Sequence, residues 1–129
     1  MFVIDEEKTL HITRGDTAIL SVGAAIGDNP INYTPYIFRE GDVVRITVCE
    51  KKDCSNVVLQ KDVTVTEECE AVEIHLERED TKFGEVISKP TDYWYEIELN
   101  PETSPQTIIG YDDNGAKVFK LYPEGVKEV

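Results

Sequence analysis

The chain is short of positive charge. Its 129 residues hold 13 Lys and Arg against 26 Asp and Glu, a net charge of -13 at pH 7. A surface this acidic repels phosphate backbones and anionic headgroups, which argues against nucleic acid and membrane as partners. Long hydrophobic runs are missing too, and nothing approaches the roughly 20 apolar residues that span a bilayer. The opening stretch, Met1 to Glu7, has neither the basic start nor the apolar core of a signal peptide, so Sec export is not expected. Histidine occurs twice and cysteine three times. A structural zinc site wants four nitrogen or sulfur ligands, usually in close pairs. His11 and His75 stand alone, Cys49 and Cys54 flank a lysine-rich turn, and Cys69 lies apart. No metal or other cofactor is expected, and the odd cysteine count reads as reduced, incidental thiols rather than a disulfide framework.

Helical periodicity is nearly absent as well, and period two takes its place. Leu10 and Ile12 share one face of a first alternating segment, and Ala18 to Val22 follows after Arg14-Gly15-Asp16, which reads as a short turn between paired strands. Val44, Ile46 and Val48 share a face in Val43 to Cys49, with Val43, Arg45, Thr47 and Cys49 opposite. Val57 to Val65 is rich in β-branched residues. Val72, Ile74 and Leu76 point inward between Glu73, His75 and Glu77. Tyr93, Tyr95, Ile97 and Leu99 alternate with Trp94, Glu96 and Glu98. Thr107 to Tyr111 and Lys117 to Tyr122 flank Asp112-Asp113-Asn114-Gly115, a hairpin turn signal. Gly27 to Gly41, with Pro30 and Pro35, and Asn100 to Gln106, with Pro101 and Pro105, read as loops or edge segments, because proline removes a ladder donor. The pattern predicts one all-β domain over residues 1–129, an antiparallel sandwich of about seven to nine short strands. A single helical turn is expected near residues 79–83, at Glu79-Asp80-Thr81-Lys82-Phe83.

No constellation of catalytic residues emerges. Nucleophilic catalysis needs a base within reach of Ser, Thr or Cys, and both histidines fall on polar strand faces as surface groups. Acidic pairs such as Glu67-Glu68 and Glu96-x-Glu98 are what solvated strand faces look like, and a short sandwich leaves little chain for a glycosidase cleft. Asp112-Asp113-Asn114-Gly115 lacks the closing acid of a calcium loop and reads as a β-turn. Arg14-Gly15-Asp16 matches an adhesion tripeptide, but Gly15 at a tight connection, flanked in solvent by Arg14 and Asp16, accounts for it as a turn.

Trp94 is the one candidate site residue. Alternation puts the only tryptophan on the outer face beside Glu96 and Glu98. Tryptophan in that position serves a protein interface, where its area excludes water, or is covered by a loop of the same molecule such as Tyr33 to Phe38.

The ordered motifs, taken together, resemble a known group. They run Ile12-Thr13-Arg14-Gly15-Asp16-Thr17, Phe38-Arg39-Glu40-Gly41-Asp42-Val43-Val44-Arg45, Leu59-Gln60-Lys61-Asp62-Val63, and Leu76-Glu77-Arg78-Glu79-Asp80-Thr81-Lys82. Tyr93-Trp94-Tyr95-Glu96-Ile97-Glu98-Leu99, Thr107-Ile108-Ile109 and Phe119-Lys120-Leu121-Tyr122-Pro123-Glu124-Gly125 complete the series. Over roughly residues 8 to 125 the chain resembles the small immunoglobulin-like β-sandwich proteins of tailed phages and prophages, and in particular the N-terminal domain of phage baseplate upper proteins. The resemblance implies an immunoglobulin-like fold and a non-enzymatic virion structural part, in the tail or baseplate. It implies other virion proteins and further copies of the chain as partners, and assembly in the bacterial cytoplasm. It departs at the end of the chain, where those proteins continue into helical segments. The alternative is a stand-alone carbohydrate- or cell-surface-binding sandwich, for which Tyr33, Tyr36, Trp94 and Tyr111 are the available aromatics, though they share no single strand.

Overall fold

The computed structural model describes residues 2–5, 7–27, 33–83, 86–112 and 115–124. Among them, eleven strands and one 3-10 turn make an all-β sandwich. In chain order the strands are β1 (Phe2–Ile4), β2 (Leu10–Thr13), β3 (Ala18–Val22), β4 (Ala25–Gly27), β5 (Tyr33–Pro35) and β6 (Val43–Cys49). They continue as β7 (Val57–Thr64), β8 (Val72–Leu76), β9 (Thr91–Leu99), β10 (Gln106–Ile109) and β11 (Lys117–Tyr122). The larger sheet runs β1-β2-β11-β9-β6-β7, with β10 also paired to β9; β3 and β8 form the facing sheet, and β4 and β5 a separate hairpin. The strand count exceeds the sequence expectation because the proline-bearing stretch after Val22 supplies β4 and β5 and the N-terminus supplies β1. Pairing is antiparallel throughout except between β2 and β11, where Leu10 lies beside Phe119 and Thr13 beside Tyr122 in parallel.

Alternation decides which residues fill the space between the sheets. Val44, Ile46 and Val48 of β6, Tyr93, Tyr95, Ile97 and Leu99 of β9, and Phe119 and Leu121 of β11 face inward. They meet Ala18, Leu20 and Val22 of β3 and Val72, Ile74 and Leu76 of β8 in one continuous core. The polar residues between them go outward and pair across strands. Arg45 of β6 sits opposite Asp62 of β7 and donates to both its carboxylate oxygens at 2.7 and 3.0 Å, with Glu102 at 3.2 Å as a third partner.

Two expected hairpins are something else. β2 and β3 do not pair; the turn Arg14-Gly15-Asp16 carries the chain from one sheet to the other, with Gly15 at φ +85°. Likewise β10 and β11 do not pair with each other, because both lie along the same side of β9. Asp112 and Gly115 do bridge to close a tight turn, while Asp113 and Asn114, like Pro30, lie outside the described residues. The 3-10 turn, Glu79–Thr81, falls where expected. Its Thr81 is fully buried and fastens the sheet crossing: the Gly15 amide donates to Thr81 Oγ1 at 3.0 Å, and that hydroxyl donates to the Asp16 carbonyl at 2.8 Å.

A second polar knot, at Asp42, ties the approach to β6 to the end of β9. Burial pushes the Asp42 carboxyl up, but hydrogen bonds from the Arg39 amide, the Tyr36 hydroxyl at 2.7 Å and the Asn100 side-chain amide outweigh it and hold the group below the usual aspartate range. Asn100, at φ +49°, also accepts from the Val43 amide through Oδ1 at 2.8 Å.

Thr81→Val keeps the shape but removes the bonds that Thr81 Oγ1 makes with the Gly15 amide and the Asp16 carbonyl, and is expected to cost about 1–3 kcal/mol in urea denaturation, while Thr81→Ser costs less. Asp42 gives a pH signature. Its folded carboxyl titrates below the ordinary 3.8, so the stability it confers is complete above that value and drains as pH falls towards the lower folded value. Asp42→Asn is therefore less stable than the parent near neutral pH, and the gap between their urea midpoints closes in strong acid; a gap that does not change with pH would refute this.

Candidate functional site

Trp94 lies where alternation puts it, on the outer face of β9, half-buried, between Cys49 of β6 and Val118 of β11. Cys49 also sits at an outward position, yet it is fully buried. The cause is the turn that follows. The register between β6 and β7 shifts after Val48, the Glu50 amide reaches the Asn56 carbonyl at 2.8 Å, and Cys54, at φ +59°, comes back over the sheet to form a disulfide with Cys49. This corrects the reading of all three cysteines as reduced. An odd count hides a local pair, and the tight turn brings the two Cα atoms to 4.9 Å, inside the range a disulfide needs. Cys69 remains free and half-buried.

The loop from β10 to β11 supplies the opposite wall. The ammonium group of Lys117, whose stem is buried, bonds Asp112 Oδ1 at 2.6 Å, and Asp112 and Gly115 exchange main-chain bonds of 3.3 and 2.9 Å. So braced, the loop presents Tyr111 with 75% of its surface exposed. Trp94 and Glu96 thus line a shallow notch of about 70 Å³ with Lys52, Asp53 and Cys54 of the disulfide turn, and with Tyr111, Ala116 and Lys117. What shelters Trp94 is therefore the disulfide turn and the Tyr111 loop. Phe38 is in the core, and Tyr36 is bound to Asp42 with its ring edge-on to Phe38. The side chain of Tyr33 lies outside the described residues. Trp94 and Tyr111, which share no strand, nonetheless share a site, because the loop closed by Asp112 and Gly115 curls back over the sheet.

The other sequence candidates resolve into structural ties. His11 is no free surface group: Nδ1 lies 2.8 Å from the Tyr122 hydroxyl and Nε2 2.9 Å from Asp5 Oδ2, which joins the N-terminal turn to β11. The bond to His11, with one from the Thr9 amide, holds the Asp5 carboxyl below the ordinary aspartate range. His75 is exposed beside Glu73 at 3.2 Å. Arg14 does not stand in solvent, since its guanidinium donates to the Lys82 carbonyl at 3.1 Å and pairs with Glu124 at 3.3 Å, which leaves the tripeptide without a free cation to offer. Among the described residues no group of three or more His, Cys, Asp or Glu is placed to hold a metal, and no helix is long and apolar enough to cross a membrane.

Chemically the notch offers the Trp94 and Tyr111 rings, the Asp53 and Glu96 carboxylates and the Lys52 ammonium group, with the buried Lys117 already bonded to Asp112, a set suited to burying a flat or apolar group within a polar rim. In comparisons with protein-family models, curated proteins and solved structures, the chain matches none of them.

The disulfide is directly countable. Unfolded without reductant, the protein should show one reactive thiol, from Cys69, and all three after reduction; three at the outset would dismiss the bond. Replacing both Cys49 and Cys54 by Ala should lower stability by about 2 kcal/mol, the loop-closure figure for so short a ring, without loss of the β-sheet circular-dichroism signal.

Proposed function

We propose that this chain is a non-enzymatic interaction module of a phage or prophage virion, a tail- or baseplate-associated part whose outer face around Trp94 and Tyr111 receives a neighbouring virion protein. The observation that carries the reading is the pair of rings on the solvent side of a sheet whose inner side is already filled. Rings so placed bury further area only when a partner arrives, and Trp and Tyr are the residues that dominate such contacts. The order of motifs similar to baseplate upper proteins supplies the biological setting. A sandwich of this kind can be repeated around a symmetric tail through exposed faces and edges. Acidity limits adhesion to packaged DNA and to like copies before assembly. The disulfide fits a particle assembled in the bacterial cytoplasm and then released by lysis into an oxidising medium, where the Cys49–Cys54 pair closes.

A second reading rests on the same notch. Two rings rimmed by Asp53 and Glu96 are also what a sugar ring needs, a stacking surface with hydrogen-bond acceptors at its edge.

Mass spectrometry of particles purified after prophage induction decides between them. The virion reading expects the chain in the particle at a stoichiometry matching the tail's symmetry. Absence from particles, with selective glycan-array binding abolished in Trp94→Ala, transfers the function to the second reading. Within the virion, Trp94→Ala should weaken assembly by about 2 kcal/mol or more while leaving thermal unfolding nearly unchanged; collapse of the fold instead would make Trp94 a packing residue.

A further inference from the structure

The larger sheet is unfinished at one corner. On one side of β9, Thr91 to Tyr95 pair with β11, and Ile97 to Leu99 pair with β10. Beyond β11 lies β2, whereas beyond β10 no strand pairs among the described residues. Among the described residues the chain itself avoids that place. Just before β2, the Lys8 amide bonds the Asp5 carbonyl at 3.0 Å, Lys8 adopts φ +66°, and Asp5 Oδ1 accepts from the Glu7 and Thr9 amides. This turn sends β1 to the far side of β2, antiparallel to it, and leaves the edge of β10 open.

Two hollows meet at that edge. One, of about 270 Å³, runs from Thr107 and Ile108 towards Lys8 and Tyr111. The other, of about 930 Å³, runs from the same two residues to the β4–β5 hairpin, with Leu99, Ala24, Ile26 and Pro35 lining it and Glu70 as its charged member. Near the strand's end Gly110 packs against Thr107, with the Glu96 carboxylate close by.

We infer that the edge of β10 accepts an extended strand from a partner protein, with apolar residues at alternate positions and lysine or arginine between them. The open main-chain groups of a strand edge are matched by another main chain, and a continuous hollow beside them takes alternate side chains of the added strand. Charge selects the partner. Glu70, Glu96 and Asp112 outnumber Lys8 and Lys117 there, the Lys117 ammonium group is already held by Asp112, and with a net charge of -13 this favours a basic segment and disfavours a second copy of this acidic chain. The edge is four residues long and its register shifts between Thr107 and Ile109, features that restrain indiscriminate edge pairing. This site adjoins the Trp94 notch, sharing Tyr111 and Glu96 with it, but does not include Trp94, and the inference does not require the virion reading.

The test uses the full chain and an acetylated, amidated peptide of alternating Lys and Val, followed by amide hydrogen exchange and NMR titration. Saturable binding that slows exchange at Gln106–Ile109 is expected. The same peptide with Glu for Lys, or with proline at its central Val, should not bind. Ala25→Arg, at an exposed position of the larger hollow, should weaken the basic peptide by about tenfold. Ile26→Lys, also exposed, should do the same, so the result does not hang on one variant. Trp94→Ala should leave the affinity unchanged. The inference is overturned by the absence of saturable binding at millimolar peptide, by protection confined to the Trp94 face, or by equal binding of the Glu peptide or of both hollow variants.

Discussion

Every strand of the larger sheet depends, directly or through one or two neighbours, on the pairing of β9. It is nine residues long, and β6, β10 and β11 all hydrogen-bond to it. Its inward residues, Tyr93, Tyr95, Ile97 and Leu99, supply four members of the core. Because the side-chain period of a strand is two, burial of those four forces Trp94, Glu96 and Glu98 outward. A slip of one residue would bury two glutamates. The exposed aromatic is therefore a by-product of the same register that builds the core, and no separate device is needed to hold it there.

That register explains why so much of the fold was legible. Segments with clean alternation, such as Val72–Leu76 and Tyr93–Leu99, are strands with the faces their sequence shows, since burial of one face leaves a period-two trace. Which strands pair left no such trace. Arg14-Gly15-Asp16 and Asp112-to-Gly115 carry ordinary turn chemistry, and a turn's composition does not say whether the next strand returns beside the last or crosses to another sheet. Long-range polar ties were equally silent: nothing local in Thr81, Asp42 or His11 announces partners many residues away.

The site was half legible. Trp94 stood out through the mismatch between its size and its face. Its surroundings did not, because they come from two separate turns. The disulfide turn and the Tyr111 loop are far apart in sequence and meet over β9 only because β6 and β11 flank it. The disulfide is hidden for a related reason: a count over the whole chain carries no trace of a bond set by five residues of local geometry. The fold and the outer-face tryptophan thus follow from repeating patterns, while the notch and the open corner beside β10 follow from topology.

The parallel contact between β2 and β11 also has a mechanical meaning. Tension drawing the chain before β2 away from the chain after β11 would slide the two strands past each other, so that their hydrogen bonds carry load together in shear. The three-residue ladder between β1 and β2 is arranged differently, as an antiparallel pair joined by a turn, and opens one rung at a time. A pull along the chain would thus release β1 early, with little resistance, and then meet a far stiffer element: the domain would behave as a short extensible lead in series with a shear lock.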